Sequence, residues 1–233
     1  MSGSVLAVVL ALGFLAWFVL SSRRGMLRRE KELTAFAERG GFQQEQFAQQ
    51  IGNREVFVSY RDFWPDLAGE FHLSGREGVR LTVDHVLRKT WDGGKIVLFD
   101  YTTNNSNAGR AALFESDSLD LPRFTVRPGD LGSFSEWAAR QEGVAMLGGI
   151  AILTADRARI ERLFTPEVLA FFQARQPGGR TWAEGNGHRL LYYKLSDISR
   201  VHAQVDFPAD AGIDGFWAGA QDVIRLITAS PLR

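Results

Sequence analysis

The sequence lacks cysteine entirely, since none of its 233 residues carries a thiol. Disulfide bonds, thiolate nucleophiles and metal sites built on cysteine are therefore excluded, and the absence agrees with a reducing compartment. A net charge is also lacking, because 27 basic side chains balance 27 acidic ones. With 45% hydrophobic residues, the chain has the composition of a folded protein and not that of a basic nucleic-acid binder. We expect no nucleic-acid partner.

Charge of either sign is missing from the first 22 residues, which include an apolar run from Val5 to Leu20. As a helix, residues 3–22 would span about 30 Å, the thickness of the hydrocarbon core of a bilayer. A cleaved secretory signal begins with basic residues, and none precedes this run. We therefore expect a retained transmembrane anchor over residues 1–22. Its apolar side chains include Val5, Leu6, Val9, Leu10, Phe14, Trp17, Phe18 and Leu20.

Basic residues follow the anchor directly. Because Lys and Arg beside a span favour the cytoplasmic side, we expect the amino terminus outside and the large domain in the cytoplasm, at a bacterial inner membrane. The same charges attract anionic lipid headgroups, at about 1 kcal/mol each near the surface. These topology and headgroup residues are Arg23, Arg24, Arg28, Arg29 and Lys31.

Small residues within the anchor recur every four positions, at Gly3, Ala7 and Ala11. They share one helix face, where the backbone of a partner helix can approach closely. This spacing predicts a helix-packing face for a membrane-protein partner. Trp17, beside the basic flank, is typical of an interfacial aromatic residue.

Beyond the anchor, the hydrophobic pattern predicts an α+β fold in which helices pack on an antiparallel sheet. Helical spacing continues from residue 23 to about 38 and stops at Gly40-Gly41, which gives a basic, amphipathic juxtamembrane helix over residues 23–41. A glutamine-rich connection over 43–50 then leads into a cytoplasmic domain over residues 42–233. Strands are predicted at 55–60, 69–73, 79–87, 95–103, 110–114, 124–126 and 149–153.

Turn and cap residues place the remaining elements. Asp92-Gly93 predicts a tight hairpin, and residues 104–109 predict a second turn. Thr154 is the expected cap of a helix over 157–164, and Thr165-Pro166-Glu167 is the start signal of the next helix. Another hairpin is expected across 185–187, followed by a strand over 200–207. Helical spacing of apolar residues predicts a last helix, with Phe216, Trp217, Ala220, Val223, Ile224 and Ile227 on its buried face.

The sequence offers no convincing catalytic, cofactor-binding or metal-binding residue. The four histidines lack ligand spacing, and the adjacent Asp84 and His85 would point to opposite faces of a strand. Residues 132–136 lack the closing glycine of a hydrolase elbow, and 143–149 read as a flexible connection and not as a phosphate loop. The acidic loop with Asp62, Asp66 and Glu70 is most simply solvated.

A set of ordered motifs carries a family resemblance. Phe99-Asp100-Tyr101 is followed by residues 119–128, which contain Leu-Pro-x-Phe-x-x-x-Pro, then by an apolar helix start at 163–169 and by residues 187–192. This order resembles an uncharacterised family of bacterial membrane-anchored proteins. The resemblance implies a bacterial origin and an α+β fold, and it carries no established activity.

We expect a non-enzymatic, single-pass inner-membrane protein whose cytoplasmic domain docks onto, or stabilises, a larger membrane assembly such as a respiratory or photosynthetic complex. The alternative is a membrane-tethered enzyme or small-ligand sensor that uses a pocket between sheet and helices. A third possibility, lipid handling at the inner leaflet, rests on the basic flank alone. Membrane lipid is the partner that all three readings share.

Overall fold

The α+β fold is confirmed by a computed structural model, which describes residues 17, 30–45, 48–51, 54–57, 71, 81–91, 93–103, 107–127, 143–175, 181–195 and 212–229. Most predicted anchor and basic-flank residues, the strand predicted at 200–207, the acidic loop and residues 132–136 lie outside this description. So does the strand predicted at 69–73, apart from Phe71. Within the described part, no helix is both long enough and apolar enough to cross a bilayer.

The structure describes eleven strands: β1 Gln43–Glu45, β2 Ala48–Ile51, β3 Arg54–Phe57, β4 Leu81–Trp91, β5 Gly94–Thr103, β6 Asn107–Ser116, β7 Leu121–Arg127, β8 Val144–Leu147, β9 Ile150–Thr154, β10 Thr181–Gly187 and β11 Arg189–Leu195. Nine of these form one antiparallel sheet, in the order β1-β4-β5-β6-β11-β10-β7-β9-β8. Strands β2 and β3 pair separately with each other.

Four described helices cover one face of the large sheet: α1 over residues 30–40, α2 Arg157–Leu163, α3 Pro166–Gln173 and α4 Ile213–Thr228. Side chains alternate between faces along each strand, so every second residue of β5, β6 and β11 points to these helices. Leu98, Ala112 and Leu190 belong to this helix-side core. Val97, Leu113 and Leu191 belong to a second core on the opposite face.

Both predicted hairpins in the middle of the chain are confirmed. Trp91 pairs with Gly94 across the first turn, where Gly93 has a φ of 81° that other residues rarely adopt. Thr103 pairs with Asn107 across the second turn. The start signal at residue 165 is also confirmed, because the Thr165 side chain accepts a hydrogen bond from the Val168 N–H at the beginning of α3.

Two segments predicted as connections are strands. The glutamine-rich segment contains β1, which pairs with β4, and Arg88 Nε lies 2.6 Å from Glu45 Oε1 beside it. Backbone pairing and this ion pair order an edge strand that has no apolar alternation. The segment 143–149 contains β8, and its last two glycines form the tight turn into β9, where both have positive φ.

Two local assignments were wrong by a few residues. Asp156, not Thr154, caps α2 by accepting from the Arg159 N–H at 3.1 Å. Thr154 stays in β9, where its hydroxyl donates to Arg123 O. The β10–β11 turn lies at Gly187, whereas Gly185 is within the strand. A Cβ at Gly185 would come within 2.2 Å of the Phe124 ring, so this glycine makes room for an aromatic side chain.

Candidate functional site

A row of polar side chains crosses the helix-covered face of the large sheet near one end. Thr181 on β10 is opposite Lys194 on β11, Lys194 is opposite Arg110 on β6, and Arg110 is opposite Asp100 on β5. Paired residues lie on the same face, so the register brings the four side chains together. We call these four residues and His85 the polar row.

The centre of the polar row is a buried ion pair. Arg110 Nε donates to Asp100 Oδ1 at 2.9 Å, and each side chain is only 7% exposed. A charge-assisted hydrogen bond of this length offsets part of the desolvation cost that both groups incur on burial. The pair fixes the orientation of the Asp100 carboxylate, whose other oxygen then faces β4.

His85 reaches that second oxygen through an irregularity in β4. The pairing of β4 with β5 shifts between residues 84 and 87, and His85 is the only described non-glycine residue with a positive φ, at 52°. Its Nδ1 lies 3.3 Å from Asp100 Oδ2, and its ring is 35% exposed. A β-bulge of this kind changes the direction of a side chain, so that it reaches a position that it would not reach from a regular strand. The result is a half-exposed imidazole beside a buried carboxylate.

At the other end of the polar row, cations outnumber carboxylates. Lys194 is half-buried, and no described side chain forms an ion pair with it. Arg175, at the end of α3, stacks on the Phe171 ring at 3.6 Å and lies 4.0 Å from Asp222 on α4. Asp222 is itself 2.9 Å from Arg225.

Tyr192 joins this end of the row to the helices. Burial raises the pKa of Tyr192, and the Arg175 charge together with hydrogen bonding to Thr181 and Arg175 opposes the rise. The hydroxyl is therefore a neutral hydrogen-bond donor at physiological pH. Gly219 on α4 allows this approach, since a Cβ there would be 2.8 Å from the Tyr192 hydroxyl oxygen.

The opposite face of the sheet carries a second polar cluster. Glu184 is 2% exposed and accepts a hydrogen bond from the Tyr193 hydroxyl at 2.6 Å. Burial raises the pKa of Tyr101 well above its usual value, and the charge of Glu184 adds to the rise. The Tyr101 hydroxyl has no hydrogen-bond partner among the described residues. The rings of Trp182 and Tyr193 stack with their centroids 5.5 Å apart, which adds aromatic surface to the cluster.

The predicted membrane residues are described only in part. Trp17 has helical backbone and is 63% exposed, and Lys31 is exposed on α1. The remaining predicted anchor, headgroup and helix-packing residues lie outside the described part of the chain. Where side chains are described, no group of three or more histidine and acidic residues forms a metal site. His188 has a structural contact, because its Nδ1 lies 2.9 Å from Leu119 O.

Sequence reasoning missed the polar row. The carboxylate that His85 contacts is that of Asp100 on the neighbouring strand, which a pairing of adjacent residues such as Asp84 and His85 does not find. One signal was present: Asp100 interrupts the otherwise apolar run from Ile96 to Tyr101 at a position that alternation assigns to the helix-side core. A charged residue at such a position requires a partner, and the register of β6 supplies Arg110.

Comparison with known proteins gives little further information. No family model matches the chain, and no curated protein matches it. The crystal structure of the mycobacterial trehalose monomycolate transport factor A, TtfA, is similar, with a TM-score of 0.47 and 14% sequence identity. The match covers 85% of this chain and 96% of that chain. Because this TM-score is below 0.5, we transfer neither fold nor function from TtfA, and the resemblance carried by the Leu-Pro-x-Phe-x-x-x-Pro element stays a prediction.

Proposed function

We propose that the chain is a single-pass inner-membrane protein whose cytoplasmic domain is a docking or stabilising accessory subunit of a larger membrane complex. The charge-free segment before residue 23 and the basic residues after it support the anchor and its orientation. The partner class is a membrane-protein assembly, reached through the anchor and through the domain.

The observation that carries the docking role is the composition of β8. Among the described strands, β8 is outermost on its side of the sheet, and it reads Val-Ala-Met-Leu without a charge or a proline. Proteins usually protect an edge strand with such residues, because its free N–H and C=O groups pair readily with another strand. Met146 is 49% exposed on this edge. The edge therefore suits strand addition by a subunit of the complex.

Affinity capture of the full chain from native membranes in mild detergent tests this role. Wild type and the matched control Met146→Leu should retain the same stoichiometric membrane-protein partners, identified by mass spectrometry. Met146→Lys should lose them, because a charge on the edge opposes strand pairing. A solitary monomer in every preparation would contradict the proposal, and so would recovery of a second copy of this chain as the sole partner.

The anchor has a separate test in whole cells. Alkaline carbonate washing should leave the full chain in the membrane pellet, since a transmembrane helix is removed only by detergent. Protease added to sealed spheroplasts should leave the domain intact, because the proposal places it on the cytoplasmic side. Release by carbonate would refute the anchor, and digestion from outside would refute the orientation.

A second candidate function, a membrane-tethered enzyme or small-ligand sensor, is favoured by the contact between His85 and Asp100. A half-exposed imidazole beside a buried carboxylate combines a side chain of the kind that serves in proton transfer with a fixed charge. Its test is a thermal-shift screen of small metabolites with wild type and His85→Gln. A ligand that stabilises wild type alone supports this function, and equal responses of both proteins to every compound count against it.

A further inference from the structure

The course of α1 shows which end of the sheet is nearer to residue 30. Lys89 Nζ donates to Gly40 O at 2.7 Å, and Lys89 is opposite Ile96 on β5. Six residues before Gly40 on the same helix, the Thr34 side chain contacts the side chain of Gln44. Gln44 of β1 is opposite Leu87 of β4. Towards its amino end, α1 therefore runs from the Lys89 position past Leu87. One further turn, about 5 Å towards residue 30, points to the end of the sheet that carries the polar row.

The segment between the anchor and α1 is short. The direction of α1 therefore bears on which end of the sheet is nearer to the membrane. Position 30 lies eight residues after position 22, a distance of at most about 29 Å in extended chain and about 12 Å as a helix. Strand β5, with 10 residues, is about 33 Å long. Where a bilayer holds residues 1–22, as in the proposed function, we expect the direction of α1 to bring the end with the polar row nearer to it.

Charge is unevenly distributed along that end. Asp100 is on the β4 side of the row, and Arg110 is paired with it. On the β11 side, the Lys194 and Arg175 cations lie beside the Thr181 and Tyr192 hydroxyls. Asp222 is the one described carboxylate in contact with Arg175, and it also pairs with Arg225. We call Lys194, Arg175, Thr181 and Tyr192 the Lys194 corner.

We infer that the Lys194 corner binds the phosphate of an anionic phospholipid headgroup on the inner leaflet, an inference that rests on the anchor and orientation of the proposed function. The ammonium of Lys194 and the guanidinium of Arg175 supply charge to the phosphate. The Tyr192 and Thr181 side chains are buried beneath them, and the hydrogen bonds of the Tyr192 hydroxyl with Thr181 and Arg175 hold the guanidinium in place. The contact orients the domain with the polar row towards the lipid and leaves β8 along the side of the sheet.

Ligand-induced stabilisation tests the binding site. Purified full chain in maltoside detergent is titrated with short-chain phosphatidylglycerol, and the thermal unfolding midpoint is followed by intrinsic tryptophan fluorescence. The midpoint should rise for wild type, because a ligand that binds the folded state stabilises it. Lys194→Gln should weaken this binding about fivefold, which corresponds to the loss of one surface cation contact. Lys194→Arg, which keeps the charge, should retain most of the effect.

Lys95→Gln is the matched control, because Lys95 is exposed on β5 at the opposite end of the sheet. The basic residues 23–31 are unchanged in every variant, so their contribution to lipid binding cancels. Equal weakening by Lys95→Gln and Lys194→Gln would overturn the inference. An equal response to inorganic phosphate or glycerol phosphate, with the same dependence on Lys194, would assign the corner to a free phosphate compound and overturn the lipid assignment.

Orientation is measured independently, and the absence of cysteine makes single-site labelling straightforward. Donor dyes are placed at Ala174→Cys, beside the Lys194 corner, and at Asp117→Cys, directly after β6; both native residues are exposed. In vesicles containing phosphatidylglycerol and a headgroup acceptor dye, the donor at 174 should transfer more energy than the donor at 117. Equal or reversed transfer would overturn the inference while leaving partner capture and carbonate resistance, the tests of the proposed function, unaffected.

Discussion

At the residue scale, the Asp100–Arg110 pair is a buried charge pair whose disruption should be costly. Arg110→Met removes one charge and leaves the other in a buried site, so we expect the free energy of unfolding to fall by about 3–5 kcal/mol. Urea unfolding of the full chain in detergent measures this change. Arg157→Met is the control, because Arg157 is exposed and its contact with Glu161 lies on the surface of α2. This variant should change the free energy by less than about 1 kcal/mol. Similar losses in the two variants would contradict a buried role for the pair.

Tyr101 gives a residue-scale prediction about alkaline pH. Its pKa is raised in the folded state, so above about pH 10 the unfolded chain loses the tyrosine proton first. The contribution of Tyr101 to the free energy of unfolding is fully present below about pH 10. It declines as pH rises further, by up to about 1.4 kcal/mol per pH unit. Urea midpoints on both sides of pH 10 should show a shallower decline for Tyr101→Phe than for wild type. If the urea midpoints of the two proteins decline equally with pH, ionisation of Tyr101 does not destabilise the folded state.

At the element scale, β10 depends on a glycine whose role is packing. Alanine normally stabilises a strand relative to glycine, but a Cβ at Gly185 would meet the Phe124 ring at 2.2 Å. Gly185→Ala should therefore lower the unfolding midpoint, because the aromatic ring must leave its position against Phe164.

Gly187→Ala provides the comparison within the same strand. Gly187 has a φ of 55° and no atom within 4 Å of a built Cβ, so alanine there incurs backbone strain without a clash. Its cost should be about 1 kcal/mol, and the loss at Gly185 should be larger. The reverse order in thermal unfolding would contradict the register of β10 against β7.

At the scale of the whole molecule, the proposed anchor and the described members of the helix-side core come from separate parts of the sequence. These core members begin at Leu33 and continue to Ile227. Removal of residues 1–22 should therefore release the protein from the membrane fraction and leave the far-ultraviolet circular dichroism and unfolding midpoint of the domain nearly unchanged. Loss of cooperative unfolding in this variant would show that the anchor belongs to the folding unit.

The sequence by itself predicted the fold class, two central hairpins and the start of α3, because each depends on local chemistry. These signals affect only residues that are close in sequence. They are a glycine in a tight turn, a threonine before a helical proline, and alternating apolar residues. The glutamine-rich β1 was missed because an edge strand is stabilised by its neighbour and needs no apolar alternation of its own.

The tertiary structure alone decided the polar row, because its members come from β4, β5, β6, β10 and β11. Asp100 and Arg110 are ten residues apart, and Lys194 is far from both in sequence, so only the antiparallel register brings them onto one face. The contact of His85 with Asp100 depends on a bulge that local propensity does not specify. Local chemistry thus fixes elements, whereas the pairing of distant strands decides which charged groups share a site.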